Sequence, residues 1–281
     1  MTRPVALITG GGTGIGAATA TRLVADGFDV VVTGRRLDPL KNIAERLDGH
    51  ARALVMDVTD ADSIAGVVAQ LDRVDVLVNN AGGALGVDPV ERADVGEWRT
   101  MFETNVLGTL QVTQALLPLL RRSPRATVVT ITSTAGMVTY EGGGGYTASK
   151  HAEHALTETL RLELNGERIR VVDIAPGMVA TPGFSLARFH GDQGRADAVY
   201  AGVDHPLTAD DVAECVAFTI AVPQHVNIDQ LVVRPVAQAA QHKLHRGPID
   251  WGDGSDAGVA GGAGSGSPEE ASGGSGSPVS P

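Results

Sequence analysis

The feature that most constrains this chain is its rhythm. Short β-branched runs alternate with longer helical stretches along most of its length. Strands are expected at 5–9, 29–33, 52–56, 74–78, 127–132, 170–174 and 230–233. Several are apolar almost throughout, the pattern of parallel strands buried on both faces. Helical stretches start near Gly14, Asp38, Asp60, Glu97, Gly145 and Thr208, and Leu156, Leu160 and Leu164 repeat as one helical stripe. Such alternation predicts an α/β fold, a doubly wound parallel sheet with right-handed crossovers. No repeat at solenoid spacing interrupts it.

From residue 252 onward the chain turns to Gly, Ser, Ala and Pro with scattered acids. Such a stretch buries too little apolar surface to offset its ordering entropy. We therefore expect one domain over 1–246 and a disordered tail over 247–281. Hydrophobic residues make up 43% of the 281 and aromatics 4%, so the core must be built from Val, Leu, Ile and Ala. A net charge of −11 argues against nucleic acid or anionic membrane as partner. The single cysteine, Cys215, points to a reducing compartment. There is neither a secretory-type leader nor an apolar run of spanning length. We expect a soluble, cytoplasmic protein.

The first strand runs into Thr9-Gly10-Gly11-Gly12-Thr13-Gly14-Ile15-Gly16, and a helix follows. A glycine turn there lets backbone N–H groups and a helix N-terminus meet a pyrophosphate. Glycines also end strands for structural reasons alone, so the context carries the inference. Gly10, Gly12, Thr13, Gly14, Ile15 and Gly16 are the expected dinucleotide contacts. The second strand ends Thr33-Gly34-Arg35-Arg36, where an NAD enzyme would place an acid for the ribose 2′-hydroxyl. Arg35 and Arg36 instead suit a 2′-phosphate, hence NADP(H); the plain alternative is two solvated arginines at a strand end. Asp57 and Val58 are placed to bracket the adenine, and Asn79 to Gly82, with Asn79 and Ala81 foremost, lie beside the nucleotide path. Turn chemistry accounts for both stretches equally well.

Tyr146 and Lys150 sit at i, i+4 on one helix face. An ammonium beside a phenol favours the phenolate, so Tyr146 can exchange a proton with an alcohol or carbonyl oxygen near neutral pH. Ser133, at the end of a buried strand, is placed to hydrogen-bond the same oxygen. Tyr146 and Lys150 also fall within reach of the cofactor, and Ser133 and Tyr146 within reach of the substrate. The eight histidines show no paired metal spacing, and His151 and His154 read as exposed helix residues. No metal is expected.

These motifs resemble the short-chain dehydrogenase/reductase family over about residues 3–245. The match comprises Thr9–Gly16, Asn79–Gly82, Asn105, Ser133, Tyr146 with Lys150, and Pro176-Gly177. The resemblance implies a Rossmann-type seven-stranded sheet of order 3-2-1-4-5-6-7 and a homodimer or homotetramer. It also implies that Asn105 lies in a helix irregularity and relays protons. By the same resemblance Lys150 bonds the nicotinamide ribose and the backbone near Val179 meets the carboxamide. Phe184-Ser185, Arg188-Phe189, Gly191-Asp192 and His225 to Ile228, with Thr33 to Arg36, are similar to the branch of NADP-dependent 3-hydroxy acid (serine) dehydrogenases. The run Gly142–Gly145 departs from that pattern. Arg188 is open to two readings, a partner for a substrate carboxylate or a solvated or interface arginine. The expected function is reversible hydride transfer between NADP(H) and a secondary alcohol or carbonyl. A non-catalytic NADP-binding redox sensor is the alternative; such proteins on this fold usually lose the tyrosine or the lysine, and both stand here.

Overall fold

The computed structural model describes residues 2–252. The chain divides into two units, Met1–Pro248 and Ile249–Pro281. The expected tail lies outside the described residues from 253 onward; Gly247, at its start, still bridges to Val203.

The first unit follows the expected alternation. It runs β1 (Val5–Thr9), α1 (Gly14–Ala25), β2 (Asp29–Gly34), α2 (Leu37–Arg46), β3 (Ala51–Val55), α3 (Ala61–Val68) and β4 (Val76–Asn79). Then come α4 (Val95–Phe102), a π-helical segment (Glu103–Gly108), α5 (Thr109–Leu120), β5 (Ala126–Ile131), α6 (Gly144–Glu163) and β6 (Ile169–Pro176). Helices α7 (Pro182–Arg188), α8 (Gln193–Tyr200) and α9 (Ala209–Ala221) precede β7 (Gln230–Val233). A small antiparallel pair, β8 (Gln238–Ala240) and β9 (Lys243–Leu244), follows. Strand ends differ from expectation by one or two residues, since fraying and caps decide them.

The sheet has seven parallel strands in the order β3-β2-β1-β4-β5-β6-β7. Residues alternate faces along each strand. Ala6 and Ile8 of β1 join Val30 and Val32 under α1 and α9. Leu7 and Val31 face the other way, into a core with α3 and α5. Burial on both faces explains why the central strands are apolar without interruption. The edge strands β3 and β7 are more open, and Val55 is exposed.

Helix α6 does not present its leucines as its deepest face. Leu156 and Leu160 are only half-buried, whereas Tyr146, Ser149, Lys150, Glu153 and Thr157 are buried. A polar stripe lies against the sheet, and it belongs to the site.

Candidate active site

The glycine turn closes at the C-terminal end of β1, where the strand order reverses between β1 and β4. Crevices at such reversals are where α/β sheets bind ligands. Gly10 and Gly14 hold φ of +64° and +53°. A Cβ on Gly16 would lie 2.4 Å from the Gly10 carbonyl oxygen. The turn is locked from β4: Asn80 Nδ2 donates to the Thr9 carbonyl at 2.9 Å, and Thr9 Oγ1 accepts from the Asn80 and Ala81 amides at 2.9 Å each. Asn80 belongs to the expected Asn79–Gly82 stretch, but its role is to brace the turn, which spacing along one strand does not reveal. Thr13 caps α1 without a side-chain hydrogen bond, and no acid occupies the first turn. By contrast Asp60 caps α3 and Thr208 caps α9. The positive end of α1 is thus left bare, as an incoming pyrophosphate requires. The turn fits a dinucleotide.

Arg35 and Arg36 are exposed at the end of β2, and among the described residues neither guanidinium has a hydrogen-bonded or ion-paired partner. Asp57 Oδ1 accepts from the Thr59 amide and hydroxyl at 3.0 and 2.8 Å. That backbone bond, with help from the hydroxyl and Arg35, holds the carboxyl below its ordinary range. Val58 is buried against Gly108, whose Cβ would collide with it. Asn79 is buried and donates to Thr113 Oγ1 at 2.9 Å, while its own side-chain oxygen has no partner among the described residues. Val179 lies in the loop after β6, with its carbonyl accepting from Tyr200 Oη at 3.1 Å and from the Thr181 amide. Thr181 stands 3.6 Å from where a Gly14 Cβ would be, so this loop overhangs the glycine turn.

Asn105 sits within the π-helical segment, the irregularity the resemblance implies. It is fully buried, bonding both ways with the Gly83 backbone at 2.9 and 3.0 Å and donating to Ser149 Oγ at 3.0 Å. A Cβ on Gly82 would touch Asn105 Oδ1 at 2.9 Å and approach Lys150 Nζ at 3.6 Å, which puts the two side chains at one place. Ser133 follows β5, and its hydroxyl accepts from the Ala135 amide at 3.1 Å. It also donates to the Pro176 carbonyl at 3.4 Å and lies close enough to the Tyr146 phenol to pull its pKa down. Tyr146 packs edge-on against Phe184, centroids 5.7 Å apart. Burial pushes its phenol above the ordinary tyrosine value; Lys150 and Ser133 pull it down, and Tyr140 and Glu153 push it up. The lysine's pull is present as expected, yet in the ligand-free protein burial outweighs it.

One side chain that the sequence left open is tied down by hydrogen bonds, and another departs from its reading. Arg188 is neither solvated nor loose. It donates to Tyr140 Oη at 3.0 Å, the Gly142 carbonyl at 3.2 Å and the Gly86 carbonyl at 3.4 Å, and lies 5.8 Å from the Tyr146 ring centroid. Every one of these partners is neutral. His154, expected at the surface, bonds the buried Asp173 carboxylate at 2.5 Å through Nδ1. The run Gly142–Gly145 makes this packing possible: Cβ atoms at Gly143, Gly144 and Gly145 would strike Tyr140, Trp98 and Met101 at 2.5–2.8 Å.

The model of short chain dehydrogenases matches residues 4–188. The chain belongs to that family. It is an oxidoreductase. An uncharacterised oxidoreductase of Mycobacterium tuberculosis is 52% identical over 245 residues, 87% of this chain and 96% of that protein. Sulfoacetaldehyde reductase 2 of Chromohalobacter salexigens is 41% identical over 242 residues, 84% of this chain and 95% of that protein. Among solved structures, the closed form of serine dehydrogenase complexed with NADP+ superposes with a TM-score of 0.82 at 37% identity, covering 86% of this chain and 99% of that one. Among the described residues no helix is long and apolar enough to cross a membrane.

Proposed function

We propose that this short-chain dehydrogenase is an NADP(H)-dependent enzyme that interconverts a small anionic hydroxy compound with its carbonyl. The substrate class is a 3-hydroxy acid such as serine, or a sulfonate of similar size. The observation that carries the reading is the meeting of Ser133, Tyr146 and Lys150 beside a bare glycine turn. Gly10, Gly12, Thr13, Gly14, Ile15 and Gly16 would hold the pyrophosphate, Arg35 and Arg36 the 2′-phosphate, and Asp57, Val58, Asn79 and Ala81 the adenosine side. Lys150 would hold the nicotinamide ribose and the backbone at Val179 the carboxamide.

When bound, the nicotinamide supplies the hydride acceptor or donor, and its oxidised ring adds a positive charge that favours the phenolate. Tyr146 takes the alcohol proton in oxidation and returns it in reduction. Ser133 holds the same oxygen through its hydroxyl. Lys150 stabilises the phenolate, and Asn105, fixed by Gly83 and Ser149 beside the ammonium, passes the proton toward solvent. Arg188 points to the substrate's acid group, because among the described residues its part-buried guanidinium forms no ion pair, and it lies against the tyrosine ring. A carboxylate or sulfonate completes that charge. Serine and sulfoacetaldehyde, named in the relatives, both carry such a group. We place the enzyme in the cytoplasm as a homodimer or homotetramer.

The test is nucleotide absorbance across 3-hydroxy acids, sulfonated aldehydes and uncharged short carbonyls, with NADP(H) and NAD(H). Turnover of the anionic compounds with NADP(H) is expected. Equal rates on the uncharged set would remove Arg188 from substrate selection. Silence throughout would favour the nucleotide sensor.

A further inference from the structure

The proposed chemistry gives no role to Glu153, a buried carboxylate directly beside Lys150. Tyr146, Lys150, Glu153 and Thr157 follow one another at i, i+4, i+7 and i+11 along α6, all turned inward. Glu153 is 1% exposed. Its Oε2 stands 2.5 Å from Lys150 Nζ, and its Oε1 accepts from Thr109 Oγ1 at 3.2 Å. Lys150 Nζ also donates to the Ile131 carbonyl at 3.0 Å. Thr109 opens α5 directly after the π-helical segment that carries Asn105. One carboxylate therefore joins the lysine to the helix of the relay asparagine.

A buried ion pair is a poor device for stability, since apolar side chains of similar volume often serve as well or better. What the pair does supply is a fixed position and a fixed charge for the ammonium. The charged and titratable groups around it come from three elements and a loop. Tyr146 shares α6. Asp173 on β6 is held by Thr132, by Gln230 at 3.1 Å and by His154 of α6 at 2.5 Å. Tyr140 precedes α6, and Arg188 of α7 lies over the Tyr146 ring. Burial works against the Lys150 charge, but Glu153, Tyr146 and Asp173 outweigh it and keep the ammonium protonated beyond the ordinary lysine range.

We propose that Glu153 is a positioning residue: it clamps the Lys150 ammonium against the Ile131 carbonyl and cancels part of its field at Tyr146. The pair then favours the protonated phenol, which suits carbonyl reduction, until a bound oxidised nicotinamide tips the balance. This rests on the reading of Tyr146 and Lys150 as the acid–base pair.

The test is a tyrosinate absorbance titration of the ligand-free protein. The chain has three tyrosines, so subtracting the matching Tyr146→Phe protein isolates the one of interest. Glu153→Gln removes a negative charge near the phenol and should lower the Tyr146 midpoint by on the order of half a pH unit or more. In an active enzyme the acid limb of kcat/KM for alcohol oxidation should move down with it. Glu153→Asp keeps the charge and should restore the higher midpoint. An unchanged or raised midpoint in Glu153→Gln overturns the proposal, even if that variant melts earlier. If Glu153→Gln does not fold, Thr109→Val should move the midpoint the same way by less, and no movement there overturns it. The titration needs no turnover, so a silent substrate panel defeats the functional reading while this result stands or falls separately.

Discussion

Two glycine-rich segments flank the site, and they use the residue for opposite reasons. In the turn from Gly10 to Gly16 the backbone comes close to itself and then opens outward. A Gly16 Cβ would meet the Gly10 carbonyl oxygen at 2.4 Å, whereas one at Gly14 meets nothing nearer than Thr181 at 3.6 Å. In the run Gly143–Gly145 the space is already taken by Tyr140, Trp98 and Met101. At Gly14 the first segment leaves a bare surface for something the chain does not contain, while the second lets the chain's own side chains press onto backbone. Glycine content alone reports close approach, and only the neighbours say by what.

Substitutions at the two segments should separate accordingly. Gly16→Val would collide with backbone and with Asn80, neither of which can yield. It should abolish measurable NADPH binding by calorimetry and lower Tm. Gly145→Ala meets the flexible end of Met101 and the edge of Trp98. Nucleotide affinity should survive, but Tyr146 one residue on should shift, and a displacement approaching 1 Å costs kcat/KM as much as about a hundredfold. A variant that lost NADPH binding instead would erase the distinction between the segments. Arg188→Ala removes charged hydrogen bonds worth about 1.5–3 kcal/mol, so KM for an anionic substrate should rise by roughly ten- to a hundredfold. The same variant should hardly alter KM for an uncharged carbonyl. On the nucleotide side, Arg35→Ala with Arg36→Ala should weaken NADPH far more than NADH in competitive titrations; equal losses would contradict the 2′-phosphate assignment. The smallest effect belongs to Gly27→Ala. Its Cβ would meet nothing within 4 Å, so only the φ of +89° is strained. Stability should fall by about 1 kcal/mol in denaturant titration, with activity intact.

Legibility in the sequence follows the same division. The strands of the sheet are readable because burial on both faces makes them continuously apolar, and the turn is readable because a strand leads into it and a helix leaves it. Ser133, Tyr146 and Lys150 are spaced so that a strand end and one helix face bring them together. Glu153 was not foreseen, and neither was the bracing role of Asn80 within the expected Asn79–Gly82 stretch. Asn80 works by reaching across from β4 to the turn after β1. Glu153, three residues past Lys150, looks in sequence like half of an ordinary surface ion pair. The leucines of α6 draw attention to a different stripe, and only packing shows that the polar one faces the sheet. Helices α7 and α8 and the β8–β9 pair were also unforeseen, being short and shaped by contacts distant in sequence. Arg188 was left open because its role depends on the charge of its neighbours, and all three of its hydrogen-bond partners are neutral.

Loss of the Tyr146 hydroxyl tests the mechanism most directly. Tyr146→Phe keeps the ring against Phe184 and removes only the proton carrier. Measured side by side with the unaltered protein, kcat should drop by about 10²- to 10⁴-fold. NADPH affinity by fluorescence or calorimetry should stay within a few-fold, since the turn and both arginines are untouched. Turnover at the original rate with the hydroxyl gone would contradict the assignment of the acid–base group and the mechanism built on it.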